Sequence, residues 1–179
     1  MHRPVPTFGP ANWVTAVRAI GALAVAASIA MPPTRQVAAA AVAIGVVVTL
    51  LDGVDGWLAR RTGTTSAFGA RFDMEVDALL ILALAALAWH HHKAGAWVML
   101  SGLLRYGFVG AGWVWDWMNG PLPPTFRAKF VCVLQIGALL LVLLPAVVPP
   151  ASTTIAAVGL AGLSYSFLVD TRRLWRRAG

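Results

Sequence analysis

Asp52-Gly53-Val54-Asp55-Gly56-Trp57-Leu58-Ala59-Arg60, then eight residues, then Gly69-Ala70-Arg71-Phe72-Asp73-Met74-Glu75-Val76-Asp77: this stretch holds five of the chain's seven acidic residues, in surroundings that are otherwise apolar. Carboxylates at membrane depth are costly unless they hold a cation or another partner. At about 100° per residue, Asp52 and Asp55 lie about 60° apart on one helix, with Gly56 and Ala59 on the same face. On the next helix Asp73 and Asp77 lie about 40° apart, and Gly69, if helical, flanks Asp73 by the same angle on the other side. Small residues beside the acids leave room for a ligand to approach the backbone. The pattern reads as a divalent-metal site between two helices, and hard oxygen donors of this kind suit Mg²⁺ or Mn²⁺. Glu75 lies about 200° from Asp73 and points away from that site. Arg71, four residues before it, is expected to be its i,i+4 partner.

Outward from this stretch the chain is apolar. Its 179 residues are 59% hydrophobic and 12% charged, too oily for a soluble domain and too short for two membrane domains. A helical span needs about 20 apolar residues. Proline, glycine and charge cut the sequence into six, roughly 12–30, 36–59, 73–91, 95–115, 128–148 and 152–169. The expected fold is an all-α membrane protein, one domain over residues 1–179, forming a six-transmembrane-helix bundle with antiparallel neighbours.

The net charge of +7 reads as topology rather than as affinity for nucleic acid. With the N-terminus inside, Arg3, Arg60, Arg61, Arg71, Arg127, Lys129, Arg172, Arg173, Arg176 and Arg177 are cytoplasmic, against Arg35 and Lys93 outside. Both termini and the acidic site are thus expected to face the cytoplasm. Trp89 and Trp97 fall at the outer interface, and Trp13, Trp57, Trp113, Trp115, Trp117 and Trp175 at the inner one. The four C-terminal arginines suit anionic headgroups of the inner leaflet.

A network that merely ties helices together is the structural alternative for the aspartates. Arg18 and Arg105 are the only basic residues at membrane depth, Lys129 standing at the cytoplasmic start of its span, and two cations do not neutralise four carboxylates. Cys132, the single cysteine, excludes an intrachain disulfide and reads as packing. His90, His91 and His92 point in different directions on a helix and read as a solvated helix end. The apolar run ending at Ala30 has the look of a signal peptide, and cleavage is set aside because Asn12, Thr15 and Arg18 resemble the first-helix pattern of a membrane-protein family.

The spacing D-x2-D-G-x2-A-R-x8-G-x3-D-x3-D resembles the signature of the CDP-alcohol phosphatidyltransferases at every fixed position. Asn12, Thr15 and Arg18 resemble the polar first-helix pattern of the same family, with Ala11 where proline is usual. The resemblance implies a six-helix bundle, often a homodimer in the bilayer, with a cytoplasm-facing site, and places the chain in a bacterial inner membrane. It implies transfer of a phosphatidyl group from a CDP-linked lipid such as CDP-diacylglycerol to an alcohol, with release of CMP, in phospholipid biosynthesis. Asp52, Asp55, Asp73 and Asp77 would hold two Mg²⁺ or Mn²⁺ ions, and Asp77 would also be the base that deprotonates the acceptor. Gly56, Ala59, Arg60 and Gly69 would form the nucleotide side.

Arg105, in the middle of the fourth span, suggests a polar cavity, because an unpaired cation there is expensive. If it lines one pocket with Arg127 and Lys129, a phosphorylated acceptor is favoured, glycerol 3-phosphate or inositol phosphate ahead of inositol, serine or choline. The segment from Lys129 to Gln135 faintly resembles that of phosphatidylglycerophosphate synthases. Two rival functions use similar residues. An intramembrane prenyltransferase would resemble a longer bundle with two separated acidic motifs. A Mg²⁺ transporter should continue polar residues across the membrane, whereas the outer halves of spans two and three are Ala, Val and Leu. Cytidine-nucleotide binding would separate these readings.

Overall fold

A computed structural model describes residues 10–62, 67–120 and 125–178. Within them the side chains of residues 10, 11, 55–60, 62, 67, 119 and 178 lie outside the description, so Asp55, Gly56, Ala59 and Arg60 are placed by their backbone alone. The described residues form helices and turns with no strand.

Each helix begins or ends where local chemistry dictates. Helix α1 (Pro10–Ala27) starts at a proline, whose fixed φ and missing N–H suit a first helical turn. It tightens into a 3₁₀ turn (Ser28–Ala30) just before Pro32-Pro33. Helix α2 (Arg35–Thr62) is capped by Thr34, whose Oγ1 accepts from the Val37 N–H at 3.3 Å. Helix α3 (Ala67–His90) closes with His92 in the left-handed conformation (φ 54°) and the Lys93 N–H bonded back to the Ala88 carbonyl. A 3₁₀ turn (Ala96–Met99) leads into α4 (Leu100–Val114), and a second (Asp116–Asn119) follows it. Helix α5 (Phe126–Leu143) is capped by Thr125, which accepts from the Ala128 N–H at 3.3 Å, and ends two residues before Pro145. Helix α6 (Ala151–Ala178) follows Pro149-Pro150.

Six helices therefore stand where the punctuation marked six spans, with shifted ends. Helix α3 starts at Ala67 rather than at 73, and α6 runs to Ala178 rather than 169. Hydropathy marks where apolar sequence ends, whereas a helix continues through charged residues that find partners or water. Among the described residues, four stretches are long and apolar enough to cross a membrane: Asn12–Ala30, Arg35–Val54, Phe126–Leu143 and Ala151–Arg177. Helix α3 has the length but carries Arg71, Asp73, Glu75 and Asp77 in its first half. Helix α4, with 15 residues, is about 22 Å long, short of the roughly 30 Å hydrocarbon core.

Helix α3 is the centre of the bundle, packed on α1, α4 and α5. Leu80, Leu84, Ala85, Leu87 and Ala88 are fully buried, against Ala22 and Val25 of α1 and Leu139, Val142 and Leu143 of α5. At the end of the bundle away from the acids, Lys93 ties three segments together. Its ammonium donates to the carbonyls of Leu144 (3.2 Å) and Val147 (2.5 Å), and its own carbonyl accepts from Ser152 Oγ at 2.6 Å. His90 Nε2 meets the Met31 carbonyl at 3.1 Å, so this histidine serves a turn.

Gly102 sets the approach of α4 to α3. A Cβ there would lie 2.5 Å from Leu82 Cβ and 2.6 Å from Leu82 Cα, and backbone cannot move aside as a side-chain tip can. Gly102→Val is expected to part the two helices and to cost about 1–3 kcal/mol. Its melting temperature in detergent should fall accordingly, and an unchanged melt would mean that the close approach is not required.

Candidate metal centre

Four inward-facing stripes converge on one end of the bundle. On α1 the buried positions Thr15, Arg18, Ala22 and Val25 recur every three or four residues, so Arg18 lies on the face that packs inward. On α2 the stripe Ala38, Ala41, Val48 carries on to Asp52. On α3 the stripe Leu84, Leu80 runs back to Asp77 and Asp73, and on α5 Leu143, Leu139, Ile136 runs back to Cys132 and Lys129. Each helix is apolar along most of its inner face and polar at one end. Packing the apolar parts brings the polar ends together above the core.

The result is a compact carboxylate cluster. Asp52, Asp73 and Asp77 each present an oxygen within 4.8 Å of the others. Arg18, 0% exposed, sits among them. Its Nη2 lies 3.1 Å from Asp52 Oδ1 and 2.5 Å from Asp77 Oδ1, its Nη1 pairs with Asp73 Oδ1, and its Nε donates to the Val48 carbonyl at 3.2 Å. Lys129 reaches in from α5, with Nζ 3.2 Å from Asp52 Oδ2. The Cys132 thiol, one turn further along α5, donates to Asp77 Oδ2 at 3.8 Å.

Among the described side chains the three carboxylates of the cluster outnumber Arg18 and Lys129, and Asp55, one turn from Asp52 on α2, adds a fourth carboxylate by sequence position. Asp52 Oδ1 is buried without an aligned hydrogen bond, although Arg18 is near. Uncompensated negative charge beside an apolar core is unfavourable, and a further cation offsets it. Carboxylate oxygens with a free lone pair are the donor set that Mg²⁺ and Mn²⁺ accept. The residues present therefore fit a divalent ion.

The structure brings together three of the four predicted aspartates, and the side chain of Asp55 lies outside the described residues. Gly69 is helical, half-buried and one turn before Asp73 on α3. Gly56, Ala59 and Arg60 continue α2 beyond Asp52, with side chains outside the described residues. Of the three basic residues expected around an acceptor, only Lys129 joins the cluster. Arg105 pairs with Glu75 at 2.6 Å, and Arg127 pairs with Asp170 at 2.5 Å and donates to Ser166 Oγ at 2.8 Å. Glu75 points away from the acids as its helical phase requires, but it receives Arg105 from α4, where Arg71 of its own helix was expected. The second cation at the cluster is Lys129 from α5, not Arg105.

Spacing along the chain assigns no role at the cluster to Arg18 or Cys132, and none to Asp170 beside Arg127. Arg18 was noted only as a pattern residue and a spare cation, although its place on the buried stripe of α1 is legible once that stripe is traced. Cys132 follows Lys129 by three residues and so shares its face. Asp170 had no local signal at all. Gln135, buried deeper on α5, donates to Ser101 Oγ of α4 at 3.0 Å and belongs to helix packing, not to the cluster.

No solved structure matches the chain. The model of the CDP-alcohol phosphatidyltransferase family matches residues 8–165, a range that contains every residue of the cluster. An acidic centre assembled from α2 and α3, in an all-helical membrane protein matched over most of its length, makes this chain a transferase of the CDP-alcohol phosphatidyltransferase family.

Proposed function

We propose that the protein moves the phosphatidyl group of CDP-diacylglycerol to a small phosphorylated alcohol, glycerol 3-phosphate first among them, with release of CMP. The observation that carries the reading is the net negative cluster of Asp52, Asp73 and Asp77 inside the family match. Asp52, Asp55, Asp73 and Asp77 are the residues to hold Mg²⁺ or Mn²⁺, two ions in all. Bound there, the metal supplies charge neutralisation for the diphosphate and for the departing phosphate.

The acceptor oxygen attacks the lipid-side phosphorus in line, and a new P–O bond forms as the bond to the bridging oxygen breaks. The electron pair leaves with CMP. Asp77 takes the hydroxyl proton, as the acid of the cluster that faces α5, where the Cys132 thiol meets its Oδ2. Gly56, Ala59, Arg60 and Gly69 form the nucleotide side, with small residues admitting the cytidine diphosphate. Both termini face the cytoplasm, since Arg127, Lys129 and the C-terminal arginines gather at the acidic end. The enzyme works as a homodimer in a bacterial inner membrane, with its six-helix bundle set in the bilayer.

Lys129 is the acceptor's first anchor in this reading. Arg105 and Arg127 contribute if the acceptor's phosphate draws them from Glu75 and Asp170, a bidentate geometry that guanidinium groups favour. CMP release should be measured with glycerol 3-phosphate, inositol phosphate, inositol, serine and choline in turn. Glycerol 3-phosphate is expected to be used best, with Arg105→Gln raising its KM and sparing CDP-diacylglycerol affinity. Preference for serine or choline would remove the phosphate requirement, and an Arg105→Gln protein indistinguishable from wild type would leave Arg105 to its Glu75 pair.

A further inference from the structure

The two cations at the cluster are held in opposite ways. The Arg18 guanidinium is sealed in the bundle, 0% exposed, with acceptors on α2 and α3 on several sides. Nothing gives it room to leave, and its charge is permanent. Lys129 stands in the first turns of α5 with its side chain 56% exposed, and its ammonium meets Asp52 Oδ2 at 3.2 Å. An ammonium on a flexible four-carbon stem is strongly hydrated and moves readily between a carboxylate and water.

Asp52 is the one candidate ligand that α2 contributes among the described side chains. Its Oδ1 lacks an aligned hydrogen bond and its Oδ2 faces Lys129. A divalent ion on Asp52 and an ammonium on the same carboxylate repel each other at short range. Arg18 stays because it is enclosed, so Lys129 is the cation that yields.

We infer that Lys129 is an exchangeable internal counter-ion: it occupies Asp52 until a divalent metal binds, and the metal then releases it to receive the anionic group of the acceptor. Metal binding thereby prepares the acceptor site, which favours metal before acceptor. The inference rests on the metal and acceptor readings above, and its test separates them.

Mn²⁺ should be titrated into the full chain in detergent, without lipid or acceptor, and followed by electron paramagnetic resonance. Lys129→Gln removes the competitor and is expected to bind Mn²⁺ about fivefold to tenfold more tightly than wild type, a modest factor because the pair is partly solvated. Lys129→Arg keeps the charge and should bind no more tightly than wild type. Unchanged or weaker binding in Lys129→Gln overturns the exchange, as does equal tightening in Lys129→Arg. Tighter Mn²⁺ binding in Lys129→Gln with an unchanged KM for glycerol 3-phosphate keeps the competition and rejects Lys129 as the acceptor's anchor. Absence of Mn²⁺ binding in all three proteins overturns the metal reading and the exchange with it.

Discussion

Asp73→Asn is expected to lower turnover about a thousandfold and to weaken metal binding, while the protein still folds. Loss of one ligand from a shared diphosphate-binding centre removes several kcal/mol of charge stabilisation, and each 1.36 kcal/mol or so is a factor of about ten in rate. Asn keeps the shape of the side chain, so Arg18 still meets an oxygen at that position. Asp52→Asn should behave alike and should also loosen Lys129, whose ammonium it holds. Asp77→Asn should reduce turnover more than it reduces nucleotide binding, because the proposed proton acceptor is lost. Glu75→Gln is the internal control. It sits on the same helix two residues from both Asp73 and Asp77, yet it faces Arg105 and not the cluster. Its turnover should stay within about fivefold of wild type, the modest effect of weakening one partly exposed ion pair. Equal damage from Glu75→Gln and Asp73→Asn, in protein shown to be folded, would mean that the faces of α3 are assigned wrongly.

Excess EDTA is expected to abolish CMP release from CDP-diacylglycerol, and added Mg²⁺ or Mn²⁺ to restore it. Three carboxylates within reach of one another could hold a divalent ion, and in the proposed reaction the substrate's diphosphate adds further negative charge for it to neutralise. Arg18 and Lys129 make a second outcome follow. Because they tie the aspartates to α1 and α5, chelation should lower the melting temperature by only a few degrees, as expected for the loss of a site ligand rather than of a structural core. Full activity in EDTA would sink the metal mechanism. Unfolding in EDTA would show instead that the metal is a structural element of the bundle.

The aspartates were legible in the sequence because helical phase is a local property. Spacings of three and four residues place Asp52 with Asp55, and Asp73 with Asp77, whatever the helices pack against, and the same arithmetic turns Glu75 away. The helices themselves were legible because proline, glycine and caps such as Thr34 and Thr125 act within a turn or two. Boundaries drawn where charge begins were less faithful. Residues 67–72, Arg71 among them, extend α3, and Arg172–Arg177 extend α6, since charged residues with partners or water do not stop a helix.

By itself, then, the sequence determined an all-helical membrane protein, the pairing of carboxylates on consecutive helices and the family signature that they form. Only the tertiary structure decided which cations meet them. In the sequence Arg105, Arg127 and Lys129 are three basic residues with no evident difference in partner, but the burial of α3 at the centre turns Arg105 toward Glu75, and α6 draws Arg127 to Asp170 and Ser166. Lys129 alone follows the Ile136–Leu139–Leu143 face of α5 into the cluster, and Arg18 enters along the Ala22–Val25 face of α1. Partner choice across helices depends on the rotation of each helix about its axis. That rotation is set by how the apolar faces interlock over the whole length of the bundle, which no short stretch of sequence encodes.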